Sequence, residues 1–315
     1  TEELIEMGTG SFLFTAMGEP FIHPDALDLM AACKAAGREC TVNTNGLLLT
    51  REALDELLEM RFDQLRITTM AGTPELYEQI HPGTPGAAFE RLVDNLRYLA
   101  ERKKALGLSK PEVWIITVAI APNHDAMLEV ARLAAKVGAE RVWYRAFDDV
   151  DDPCLAPLAP SSEQAAVIRR QAREAARCLE ARGLRHNVPE FLCTFGGQID
   201  TAALYATIPC YYPWFVLRVE TDGSVYACCR CYKPLGNVNE QTIREIWHGP
   251  AFREFRRKAG NLNRTGESPE ACVCDRCVHA QANIRVYRKL HPWRGRSAAL
   301  QQLQPMLGAG EDEFS

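Results

Sequence analysis

Residues 11–147 alternate short apolar runs with amphipathic stretches at a regular spacing, and no other feature of the chain narrows its possible folds as far. Runs of strand length occupy 11–17 (SFLFTAM), 39–44 (ECTVNT), 63–69 (DQLRITT), 112–120 (EVWIITVAI) and 140–147 (ERVWYRAF). Between them lie segments of helical period: 24–37, closed by Gly37; 50–60, with Thr50 as its cap; 74 to about 106; and 123–138. Strands that alternate with helices pair in parallel through right-handed crossovers, so the chain is α/β. Periodicity alone leaves a closed barrel and an open doubly wound sheet both available.

The rhythm changes beyond these five units. An acidic, proline-rich loop, DDVDDPCLAPLAPSS, covers 148–162. A long helix is expected from about Ser162 to Arg182, with Ala165, Ile168, Ala172, Ala175, Ala176 and Leu179 on one face. The βα alternation stops after Gly183, which places a boundary near 184 and predicts domains at 1–183 and 184–290 with a tail at 291–315. The closing GAGEDEFS reads as disordered.

A net charge of −5 argues against a general nucleic-acid surface, and the basic run RVYRKLHPWRGR at 285–296 reads as a solvated face. No run approaches the roughly 20 apolar residues of a membrane span, and no secretory signal opens the sequence, so a soluble cytoplasmic protein is expected. In a reducing compartment closely spaced cysteines bind metal more often than they form disulfides.

Seven of the twelve cysteines fall within 210–231 (CYYPWFVLRVETDGSVYACCRC) and 272–277 (CVCDRC). Asp222-Gly223 is a two-residue hairpin signal, which sets Cys228 about opposite Leu217. Cys274 and Cys277 have the C-x-x-C spacing that lets two thiolates reach one metal or one cluster edge. Cys210 and Cys228 complete a set of four that suits either a structural zinc or an iron–sulfur cluster, and ligand type does not separate the two. Cys229, Cys231 and Cys272 are then spare thiols. Among the histidines, His23 caps the turn into a helix. His81, His124, His186, His248, His279 and His291 show no mutual spacing that suggests a metal site.

The first strand leads into MGEPFIHPD (17–25), the second ends in VNTNG (42–46), and the third runs into RITTMAGTPELYEQI (66–80). Together these segments resemble the radical S-adenosylmethionine superfamily. The four cysteines, with PLGNVNEQTIREIWHGPAFREFRRK between them, resemble the SPASM/twitch extension of those enzymes. The resemblance implies a partial TIM-type (βα) barrel with a small C-terminal cysteine-rich hairpin and helix domain that holds an auxiliary [4Fe-4S] cluster. It implies that Gly18, Glu19 and Pro20 meet the methionyl amino group of S-adenosyl-L-methionine, that Thr44 and Asn45 face the same cavity, and that Thr68 offers a hydroxyl to the ribose. Asn123 and Arg145 are further candidates for cofactor or substrate contacts. No catalytic residue is singled out.

Two departures qualify the likeness. The family's N-terminal C-x3-C-x2-C, which holds the radical-generating [4Fe-4S] cluster, is absent from these 315 residues, as is a sixth strand. The expectation is a barrel lacking its first βα unit through N-terminal truncation. A full SPASM domain also continues as C-x2-C-x5-C-x3-C, whereas no cysteine follows Cys277. One auxiliary cluster in electron transfer is therefore expected. The implied activity is generation of a 5′-deoxyadenosyl radical that abstracts hydrogen from a peptide or a small hydroxylated substrate, with a flavodoxin or ferredoxin as reductant. The alternative is a non-catalytic zinc- or iron–sulfur-binding protein on an α/β scaffold.

Overall fold

The six strands of the first unit form five parallel pairs, each between neighbours in sequence. They are β1 (Ser11–Phe14), β2 (Glu39–Thr44), β3 (Gln64–Thr68), β4 (Glu112–Ala119), β5 (Arg141–Ala146) and β6 (Arg185–His186). The structure is a computed structural model and describes residues 1–15, 18–147, 152–195 and 201–292. A doubly wound sheet reverses its strand order at a switch point. Here the order β1-β2-β3-β4-β5-β6 never reverses, so right-handed crossovers stack all helices on one face, as in a partial barrel.

The helices of this unit are α1 (Glu2–Glu6), α2 (Ala26–Ala35), α3 (Arg51–Glu59), α4 (Pro74–Ile80), α5 (Gly86–Leu106), α6 (Met127–Val137), α7 (Ser162–Glu180) and α8 (Val188–Thr194). Thr50 Oγ1 accepts the Ala53 N–H and caps α3, as its position in the sequence predicts. Alternation along the strands divides the sheet. Val42, Leu65, Ile67, Val113, Ile115, Val142 and Tyr144 join one buried core with the apolar stripes of the helices. The other face is aromatic and charged. Arg66, Trp114 and Arg141 stand side by side across three strands, with the guanidinium groups 4.5 and 4.3 Å from the indole ring. The Trp114 indole N–H donates to Glu112 at 2.6 Å.

Three expectations change here. β6 follows Gly183 and pairs with Arg141 and Val142 of β5, although five strands were expected. Val188, Phe191 and Phe195 then join the core of the first unit. The chain accordingly divides between Gly196 and Gly197 instead of near 184. The helical stretch from Pro74 to Leu106 is two helices, because Pro82 and Pro85 each remove a backbone donor between them. Residues 148–151 of the acidic loop, and 293–315 with the expected disordered tail, lie outside the described residues.

The second unit contains α9 (Thr201–Tyr205), a three-stranded antiparallel sheet of β7 (Arg218–Val219), β8 (Ser224–Tyr226) and β9 (Gly236–Asn237), and helices α10 (Ile243–His248), α11 (Pro250–Thr265) and α12 (Ala280–Leu290). The β7–β8 turn is one residue longer than Asp222-Gly223 alone predicts. Glu220 N–H donates to Ser224 O at 2.9 Å, and Val219 pairs with Val225. Three-residue loops of this kind close on a left-handed residue. Gly223 supplies it at φ 83°, with Asn239 so close that a Cβ would meet its amide at 2.5 Å. The register therefore moves by one, and Cys228 falls opposite Val216 instead of Leu217. Among the described residues, no helix is long and apolar enough to cross a membrane.

Candidate functional site

One carboxylate ties the loop after β1 to the end of β2. Glu19 accepts the Thr44 hydroxyl at 2.5 Å, the Asn45 N–H at 2.8 Å and the Phe21 N–H at 3.3 Å. Thr44 Oγ1 accepts the Gly46 N–H at 2.9 Å, and Asn45 Oδ1 accepts the Leu47 N–H at 2.9 Å. These groups lie at the C-terminal ends of two adjacent parallel strands, the edge where such sheets bind ligands. Gly18 is exposed, with open space where a Cβ would stand, and Pro20 begins a single 3-10 turn. Met17 lies outside the described residues. His23 Nδ1 accepts the Asp25 N–H at 3.1 Å within the turn before α2, whose N-cap is Asp25 without a side-chain cap bond.

Thr68 ends β3 half-buried, and Arg145 is the exposed penultimate residue of β5. Asn123 differs from the others. It is fully buried, donates to Met70 O at 2.9 Å and Val118 O at 2.8 Å, and accepts the Ile120 N–H at 2.8 Å. Both amide protons are committed to backbone, so Asn123 clamps the loop after β3 to the end of β4 and presents no donor to a ligand. A cleft of about 670 Å³ opens on the helix layer instead, lined by Gly72, Glu90, Glu129, Arg132 and Lys136. Gly72 belongs to the loop after β3, and the other four lie on α5 and α6.

In the second unit, Cys210, Cys228, Cys274 and Cys277 line one small cavity with Tyr205, Tyr212 and His279. Cys210 reaches it because its N–H is fixed to Ala259 O of α11 at 3.0 Å. A 3-10 turn over Cys274–Arg276 brings Cys274 and Cys277 to the same wall. Donors already point at the sulfurs. Arg230 N–H lies 3.4 Å from Cys228 Sγ, His279 N–H lies 3.3 Å from Cys277 Sγ, and the Tyr205 hydroxyl lies 2.9 Å from Cys277 Sγ.

Burial pushes the Cys210 and Cys274 thiols up and Cys277 to about 11. Cys228 is raised first by its hydrogen bond with Cys229 and then by burial. Four thiolates cannot share a dry cavity without a cation to offset them, and metal binding is what releases their protons. The four thiols are not gathered as closely as one zinc requires, since among the described residues the ligand atoms that lie within 4.8 Å of one another are those of Cys228, Cys229 and His279 and of Cys228, Cys231 and Cys272. Around one cavity the set fits a [4Fe-4S] cluster.

Two features of this cavity escaped sequence reasoning. His279 Nε2 stands 3.1 Å from Cys229 Sγ, its ring stacks on Tyr212 at 3.8 Å, and the ligand atoms of Cys228, Cys229 and His279 lie within 4.8 Å of one another. No local spacing signals the pair, because Cys229 and His279 are fifty positions apart. Cys231 and Cys272, expected to be spare, are joined as a disulfide across an isolated antiparallel bridge, beside Cys228.

Residues 1–134 match the radical SAM superfamily, and residues 210–278 match SPASM, an iron-sulfur cluster-binding domain. These radical SAM and SPASM domains imply [4Fe-4S] clusters and S-adenosylmethionine as cofactors. It is 24% identical over 263 residues to the tungsten-containing aldehyde ferredoxin oxidoreductase cofactor-modifying protein of Pyrococcus furiosus, covering 77% of this chain and 68% of that protein. It is 28% identical over 271 residues to the PqqA peptide cyclase of Ruegeria pomeroyi, covering 82% and 65%. The crystal structure of Streptococcus suis SuiB superposes with a TM-score of 0.61 at 14% identity, covering 86% of this chain and 65% of that one. The chain thus spans about two thirds of the length of these relatives. The likeness to SuiB is one of fold.

Proposed function

We propose that the two units are the S-adenosylmethionine-facing scaffold and the auxiliary-cluster domain of a radical enzyme that modifies peptides. The observation that carries this reading is the convergence of Cys210, Cys228, Cys274 and Cys277 on one cavity. The peptide substrate rests on similarity to PqqA peptide cyclases and to SuiB, whose structure with its precursor peptide SuiA superposes with a TM-score of 0.54.

In this reading Glu19 holds the loop bearing Gly18 against Thr44 and Asn45, which leaves backbone groups at the strand ends to receive the methionyl end of S-adenosylmethionine. Thr68 and Arg145 lie at neighbouring strand ends, placed to contact ribose or substrate. Bound to its first cluster, S-adenosylmethionine is the family's source of a hydrogen-abstracting 5′-deoxyadenosyl radical. These 315 residues contain no C-x3-C-x2-C to hold that cluster.

The C-terminal donor set does fit a cluster. Four cysteines leave it fully ligated, which suits electron transfer with a reductant of the flavodoxin or ferredoxin kind. Extending the two-cluster spacing past Cys277 lands on Asn283 and Tyr287, neither of them a thiol, in keeping with a single auxiliary cluster.

Anaerobic reconstitution with iron and sulfide tests the reading. About four irons and four sulfides per chain are expected. Alanine at Cys210, Cys228, Cys274 or Cys277 should each abolish the cluster absorbance, whereas Cys178→Ala should leave it intact. Tightly bound zinc without labile sulfide would favour the non-catalytic alternative.

A further inference from the structure

The cavity contains a hydrogen-bond relay whose direction is fixed by the backbone. Asn283 is fully buried, and its Oδ1 accepts the Tyr211 N–H at 2.6 Å. That contact sets which way the amide faces. Its Nδ2 donates to His279 O at 3.1 Å and to the Tyr205 hydroxyl oxygen at 2.9 Å. The Asn283 side chain also hydrogen-bonds Cys210, so its two amide protons serve the Tyr205 oxygen, His279 O and Cys210, and the amide nitrogen only donates. Tyr205 thus receives a proton from Asn283, so its own O–H is directed to the remaining neighbour, Cys277 Sγ, at 2.9 Å. A metal-bound cysteine sulfur has no proton and only accepts, so the polarity is consistent from end to end.

We propose that Tyr205, oriented by Asn283, is a positioning residue that donates to the Cys277 sulfur and raises the reduction potential of the cluster held there. This rests on the cluster assignment made under the proposed function. Reduction adds negative charge that is shared by the ligand sulfurs, and a donor aimed at one of them stabilises the reduced form more than the oxidised form. The His279 N–H, at 3.3 Å from the same atom, makes Cys277 a sulfur with two donors. Tyr205 is only 4% exposed, so water cannot readily take the place of its hydroxyl.

The test uses the full chain reconstituted anaerobically, with iron counted and the midpoint potential read by an EPR-monitored redox titration. Tyr205→Phe keeps the ring in its packed cluster with Leu204, Ile208 and Ile284 and deletes the donor alone. The expected result is full iron content with a midpoint shifted to more negative potential. Tyr287→Phe, which removes a hydroxyl from the same packed cluster, should leave the midpoint where it is. An unchanged midpoint in fully loaded Tyr205→Phe overturns the proposal. Loss of iron in that variant also overturns it, by showing Tyr205 to be scaffold for the ligands and not a tuner of the cluster. Failure of the parent chain itself to bind iron sinks the cluster assignment, and the donor assignment with it. Its mark is that the parent fails before any variant is compared.

Discussion

Glu19 and Thr44, 25 residues apart, meet at 2.5 Å where the loop after β1 folds over the end of β2. The same carboxylate takes the Asn45 N–H at 2.8 Å. Glu19→Gln keeps the size but can turn an NH2 toward one of these donors. Leaving a donor unmatched costs about 1–3 kcal/mol. Glu19→Gln should therefore lower stability in urea unfolding and speed hydrogen exchange at the Asn45 amide. Unchanged exchange at Asn45 would show that the carboxylate does not hold this loop.

Gly46, next in the chain, combines a backbone need with a packing need. Its φ is 75°, and a Cβ would stand 2.5 Å from Leu92 Cδ1 of α5. Alanine there carries the left-handed strain, about 1–2 kcal/mol, and must also push a core leucine aside. Gly46→Ala should destabilise the first unit by roughly 2–4 kcal/mol in urea titration. Leu92→Ala in the Gly46→Ala background should restore part of the steric share and none of the backbone share, which a double-mutant cycle separates.

Asp63 gives the first unit a signature in acid. It is 8% exposed, with Lys34 and Lys110 each at 2.5 Å and the Cys40 N–H at 2.8 Å. Burial alone would raise its carboxyl, but the hydrogen bonds from Lys110, Lys34 and Cys40 outweigh it and hold the group below the ordinary 3.8. A folded value below the unfolded one contributes stability that is present above 3.8 and is lost as pH falls through the folded value. Breaking a buried pair costs roughly 3 kcal/mol, and Asp63→Asn should show about that loss near neutral pH. The gap between parent and variant should close in acid; a gap independent of pH would refute the assignment.

How much of this was legible in the sequence follows from where the signal resides. β2 to β5 announce themselves because each carries a buried apolar row against the helices, such as Leu65 and Ile67 or Val113 and Ile115. β6 does not, because Arg185 and His186 form a strand only by pairing with β5. The thiols of the C-terminal cavity were readable from spacing. His279 and Asn283 were not, since their roles depend on the return of α12 against the Cys210 segment, a contact between residues about seventy positions apart. Asn123 sits at a strand end, as a ligand residue would, yet its amide is consumed by backbone, and only coordinates show which.

Arg256 supports the segment that delivers Cys210. Its Nε donates to Pro213 O at 2.9 Å and its Nη1 to Trp247 O at 2.7 Å, while the guanidinium lies 4.0 Å from the Trp247 ring centre. One planar group thus joins α11, the last turn of α10 and the Cys210 loop, in parallel with the bond from Cys210 N–H to Ala259 O. Lysine keeps the charge but has neither the fork nor the flat face for this geometry. Arg256→Lys should therefore cost roughly 1–3 kcal/mol in the stability of the second unit, through the lost charged hydrogen bond and stacking. Because the loosened segment carries a cavity thiol, the same variant should release reconstituted iron to a chelator faster than the parent does. A chelation rate equal to that of the parent, alongside the loss of stability, would show that Cys210 is held by Ala259 alone.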